Sequence, residues 1–193
     1  MHRILIRLAR IMAILGGLVL SLLILLVCAS ITGRALNAML HSDLAEAVIP
    51  GLAQRLLRSG IGPINGDFEL VEAGMAFAVF AFIPLCQITA GHAAVDIFTS
   101  RFSKRAQDIL QAIIDIVFAI VLVVIAVQLK EGMDSKLRSG QTTFLLQFPV
   151  WWAYALSLSG AIAAAVIGVH VAVARLIEIV TGRIIIHPEG TGH

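Results

Sequence analysis

The side chains in this chain that could do chemistry are few and scattered. Its six histidines raise the prospect of haem ligation, which in a membrane cytochrome needs facing imidazoles well inside neighbouring helices. Only His170 lies deep in an apolar run, while His2, His41, His92, His187 and His193 fall near ends or in connections, so haem is not expected. The two cysteines, Cys28 and Cys86, form no CxxC pair and sit in separate apolar runs. That spacing suits buried thiols better than a disulfide relay or a zinc site. No Walker A loop, HExxH helix or GxSxG elbow is present, so no phosphate-cradling, metalloprotease or acyl-transfer chemistry is indicated. One carboxylate stands out. Asp115 interrupts an otherwise apolar stretch, with Gln111 at i−4 and Asp108 at i−7 on the same helical face. An ionisable group at such a position is either a proton or ion ligand or a structural carboxylate held by a nearby cation. The basic trio Arg101, Lys104 and Arg105 supplies such cations, and the structural reading is preferred. Glu69 and Glu72 share one face at a helix start, where complementing the helix dipole is role enough.

The elements that must carry these groups are membrane helices. The chain is 59% hydrophobic and 13% charged, where soluble domains run at about 45–50% and about 25%. Mean hydropathy is +0.97. A net charge of +2 leaves no basic field of the kind that binds nucleic acid. Four apolar runs appear, with expected spans 11–33, 70–91, 109–129 and 150–174. Each meets the length of about 20 residues that a spanning helix requires. Helices are the expected state because lipid offers no partner to a bare backbone amide. The fold class is therefore an all-α membrane protein, a single four-helix transmembrane domain over residues 1–193. Arg3, Arg7 and Arg10 precede the first run, but that run is longer than a signal-peptide core and is read as a retained helix.

Local signals frame the spans. Asp67 is an expected N-cap for the second helix, and Ser103 for the third. Pro149 divides the fourth run, leaving 142–148 as an approach segment, and Trp151, Trp152 and Tyr154 stand where an aromatic belt belongs. The first connection, 34–66, is long. Within it Leu44, Val48, Leu52 and Leu56 recur every fourth residue, which predicts an amphipathic helix over 42–59 lying on the membrane surface or on a partner. The stretch 130–141 mixes both charge signs and reads as a solvated turn. Four spans put both termini on one side. That side holds Arg3, Arg7, Arg10, Arg101, Lys104, Arg105, Arg175 and Arg183, eight cations against six opposite, so both termini are expected in the cytoplasm.

Three stretches carry a family likeness. An acidic residue opens the second helix within Phe68-Glu69-Leu70-Val71-Glu72. The segment from Gln87 through Gly91, His92, Val95 and Asp96 is similar to a G-x-H-x-x-V-D pattern. Pro149-Val150-Trp151-Trp152-Ala153-Tyr154 is similar to P-x-W-x-x-Y. In order and spacing these resemble the DctQ-like small membrane subunit of tripartite ATP-independent periplasmic (TRAP) transporters, over most of the chain. The resemblance implies a bacterial inner-membrane accessory subunit of a sodium-driven carrier of organic acids. Its partners would be a large DctM-like membrane subunit, a DctP-like periplasmic binding protein and the surrounding lipids, with no cofactor and no catalysis. It also implies interface or structural roles for Glu69, Glu72, Gln87, Gly91, His92, Asp96, Asp115, Pro149, Trp151 and Trp152. Gly91 would permit a tight turn, His92 and Asp96 would bond exposed backbone there, and the tryptophans would anchor at the interface. The chain departs from shorter relatives in its extended first loop, which would face the periplasm. The competing reading is a self-sufficient oligomeric carrier or channel using Asp115. A membrane enzyme is disfavoured by the missing nucleophile, metal cluster and redox pair.

Overall fold

Four long helices make up the computed structural model, which describes residues 2–42, 62–89 and 104–181 with isolated positions between 51 and 60. They are α1 (His2–Leu40), α2 (Asp67–Ile88), α3 (Lys104–Ser139) and α4 (Trp151–Thr181). Each is long and apolar enough to cross a membrane, and no strand is named among the described residues. The protein is an all-α, multi-pass membrane protein. Most of the segment 42–59, expected as a surface helix, lies outside the described residues, as do Ser103 and Gly91 through Asp96.

Three helices run further than the expected spans, α4 continuing to Thr181. Residues 34–40, read as loop, continue α1, and residues 130–139, read as a solvated turn, continue α3. Lys130, Glu131, Met133, Lys136, Leu137 and Arg138 are all good helix formers, so leaving the lipid is no reason for the helix to end. α3 stops at Gly140, which takes a left-handed φ of 61° that costs a glycine little. With 39 and 36 residues, α1 and α3 are about 58 and 54 Å long at 1.5 Å per residue, well beyond a hydrocarbon layer.

The packing is an open layer rather than a closed bundle. α1 lies on α2, α2 on α4 and α4 on α3, while α1 meets α4 only slightly. Small residues set these approaches. A Cβ on Gly16 would stand 2.9 Å from that of Ala81, and one on Gly74 would meet the Leu23 side chain at 2.8 Å. A Cβ on Gly160 would lie 3.0 Å from the carbonyl carbon of Phe80, whose oxygen loses its helical partner because Pro84 has no amide hydrogen. On the far side, Gly132 faces the Tyr154 ring and Gly168 faces Leu122. Close approach of this kind is how membrane helices gain contact energy when lipid is as apolar as the side chains. One buried cluster joins Ala9, Ile88, Ile167 and Val171 from α1, α2 and α4. α4 is the most enclosed helix and α1 the least.

Several hydroxyls within the helices are satisfied locally. Ser21 donates to the Gly17 carbonyl at 2.8 Å, Thr32 to Cys28 at 2.7 Å and Ser157 to Ala153 at 2.9 Å, the i−4 back-bond that suits a hydroxyl in lipid. Cys28 is exposed and Cys86 half-buried, neither of them in a disulfide, so Cys28 is not packed inside the protein as a buried thiol would be.

Candidate functional site

The polar side chains gather at two junctions, one at each end of the layer. The first is built around the start of α2. Asp67 is the first helical residue, not the cap. Gly66 occupies the cap position with φ 81° and supplies no side-chain bond. A side chain at Gly66 would collide with that of Leu146, so the chain needs glycine here for both dihedral and space. The Asp67 carboxylate is turned toward α1 instead. It accepts a hydrogen bond from the Ser30 hydroxyl, lies 3.7 Å from the Arg34 guanidinium, and accepts the Phe68 amide at 2.8 Å. The Ser30 oxygen in turn accepts the Ile64 amide at 3.3 Å. Gly33 completes the junction by letting the Gly62 carbonyl come against the α1 backbone.

Beside it, residues 141–150 fold back as a short hairpin. The Val150 amide donates to Gln141 O and the Thr143 amide to Phe148 O, both at 3.0 Å. At its tip, Gln147 has a positive φ of 51°. The Leu145 and Leu146 amides both point at Glu69, donating to Oε1 at 2.6 Å and Oε2 at 2.9 Å. Glu69 therefore does more than complement a helix dipole, because it clamps a loop 76 residues away in sequence. At the hairpin base, Lys136 donates to Gln141 Oε1 at 2.7 Å, tying in the end of α3. Trp151 and Trp152 open α4 in an edge-to-face pair, centroids 6.1 Å apart. Glu72, one turn after Glu69, is exposed.

The second junction lies between α3 and α4. Asp115 is 5% exposed. Its Oδ1 accepts Gln111 Nε2 at 3.2 Å and its Oδ2 is 3.4 Å from Arg175 Nε. Arg175 of α4 thus gives Asp115 a counter-charge, while the side chains of Arg101, Lys104 and Arg105 lie outside the described residues. Arg175 also reaches Glu178 on its own helix at 3.4 Å, so one guanidinium holds two carboxylates. Gln87 is buried at the end of α2. An apolar groove of about 330 Å³ runs along α3 and α4 between Ile120, Val124, Val169 and Val173.

Sequence reasoning singled out Glu69, Asp115, Pro149 and the tryptophans but missed Ser30, Arg34 and Arg175. A signal existed for each. Ser30 and Arg34 are one helical turn apart on one face, and Arg175 ends the uncharged stretch of an antiparallel neighbour near the depth of Asp115. Both junctions consist of intrachain bonds. Among the described residues no group of three or more histidines, cysteines or acids is placed to hold a metal ion.

Four apolar helices in an open layer, joined by polar ties at the two junctions, define a polytopic membrane protein. Residues 23–181 match the family described as tripartite ATP-independent periplasmic transporters, DctQ component. The chain belongs to that family, and is thereby a small membrane subunit of a TRAP transporter. No curated protein and no solved structure matches it.

Proposed function

We propose that the chain is the accessory membrane subunit of a sodium-driven TRAP carrier for organic acids, scaffolding a large DctM-like transport subunit and helping a DctP-like binding protein to dock. It resides in the bacterial inner membrane with both termini in the cytoplasm, which places the hairpin 141–150 and the extended first loop on the periplasmic side. The observation that carries this reading is the open layer, in which the deepest carboxylate is already engaged. Asp115 is committed to Gln111 and Arg175, whereas a carrier needs ionisable groups able to bind and release along a path. The unclosed layer suits a protein that extends a neighbour, and the α3–α4 groove suits a helix of that neighbour. The family membership supports both partners.

The test is a mild-detergent pull-down of the tagged chain from its native membrane, with mass spectrometry of the eluate. Recovery of a large polytopic subunit in equal amount is expected. Recovery of the chain alone as a stable oligomer would overturn the accessory role and point to a self-sufficient carrier using Asp115.

A further inference from the structure

The hairpin presents a combination that a water-facing loop has no use for. Two of its tip side chains are large, apolar and outward, with Phe144 90% exposed and Leu145 58%. Phe68, on the adjoining first turn of α2, is 75% exposed. Yet four of the hairpin's amides are engaged within the protein. Thr143 and Val150 amides pair across the hairpin, and the Leu145 and Leu146 amides are taken by the two oxygens of Glu69. In water those amides would be solvated at no cost, and exposed Phe and Leu would be a liability. In lipid the requirement reverses, since apolar side chains are favoured and every backbone amide needs a partner from the protein.

The depth of the tip agrees. Glu69 ties it level with the first turn of α2, and Asp67 in that same turn is bonded by Ser30 of α1. α1 is still apolar and outward-facing there. Ile31 is 59% exposed, and no charge falls between Arg10 and Arg34. The exposed apolar surface of α1 and the hairpin tip therefore reach the same level. Lys136 and Arg138, at the end of α3 above the hairpin base, put cations where phospholipid headgroups carry their phosphates.

We propose that the hairpin tip, Phe144 and Leu145 with Phe68 beside it, is a membrane-interface wedge that inserts into the headgroup–acyl boundary of the adjacent leaflet, and that Glu69 makes insertion possible by capping the two tip amides. The occupant of this surface is phospholipid. Glu69 is a positioning residue and contacts no lipid itself.

The experiment uses the full chain with Trp151→Phe and Trp152→Phe, so that Phe144→Trp becomes the sole tryptophan. It is reconstituted into phosphatidylethanolamine–phosphatidylglycerol vesicles with and without lipids brominated near the top of the acyl chain. Blue-shifted emission, strong quenching by the brominated lipid and little quenching by aqueous iodide are expected. Adding Glu69→Gln should raise iodide quenching several-fold. Strong iodide quenching with none from bromine would overturn the proposal. So would loss of bromine quenching when the large subunit is co-reconstituted, because the surface would then belong to a protein interface. Bromine quenching unchanged by Glu69→Gln would overturn the role given to Glu69. Leu145→Trp in the same background provides a second reporter if Phe144→Trp does not fold.

Discussion

Among single residues, Arg175 bears the most. It lies 3.4 Å from both Asp115 and Glu178, so the two ways of breaking this junction are unequal. Asp115→Asn removes one charge but keeps a group able to accept from Gln111, and leaves Arg175 with Glu178. Arg175→Met leaves two carboxylates without their shared cation. Removing one partner of a buried pair typically costs about 3–5 kcal/mol, whereas replacing both can be close to neutral. Arg175→Met should therefore fall in that range, and Asp115→Asn well below it. The double variant Asp115→Leu, Arg175→Met should recover part of the loss. Thermal unfolding in detergent checks this, and equal losses for the two single variants would contradict it. Asp115 was legible in the sequence as the one carboxylate in an apolar run, and Gln111 followed from the turn spacing. Arg175 was not legible as its partner, because a pair 60 residues apart depends on the register between α3 and α4.

For the helices, the decisive feature is which glycines face a neighbour. Gly160 lies against the backbone of α2, where an added Cβ would sit 3.0 Å from Phe80's carbonyl carbon. Gly17 has nothing within 4 Å. Gly160→Leu should force α4 from α2 and cost about 1–3 kcal/mol as overpacking, with Gly160→Ala smaller in the same direction. Gly17→Ala should be neutral or slightly stabilising, since alanine is the better helix former. Unfolding temperatures of the three variants decide, and destabilisation by Gly17→Ala would contradict this view of α1 as outward-facing at that point. The two glycines look alike in the sequence, both set in apolar helical runs. Only the packing distinguishes them.

At the scale of the whole molecule, an open layer leaves α1 and α3 at its edges and the α3–α4 groove uncovered within the chain. If a helix of the large subunit seats there, Val173→Trp should fill the groove and cut co-purification of that subunit several-fold. The variant chain alone should elute from a sizing column as the parent does, because Val173 is half exposed and outward. Unchanged co-purification would move the contact to another face. Composition showed that this is a membrane layer of four helices. It did not show that the layer is open, since a closed bundle has the same hydropathy profile.

The sequence by itself determined the four long apolar helices, their membrane setting and their family. The physical reason is local: lipid obliges each apolar run to satisfy its own backbone, and a helix does so without help from the rest of the chain. The tertiary structure decided what meets what. It set the order α1–α2–α4–α3, gave Asp115 to Arg175 and Asp67 to Ser30, and gave Glu69 to a hairpin 76 residues away. Those choices turn on which of several equally apolar faces come together, and hydropathy cannot rank them. Contacts at small residues such as Gly16, Gly132 and Gly160 can.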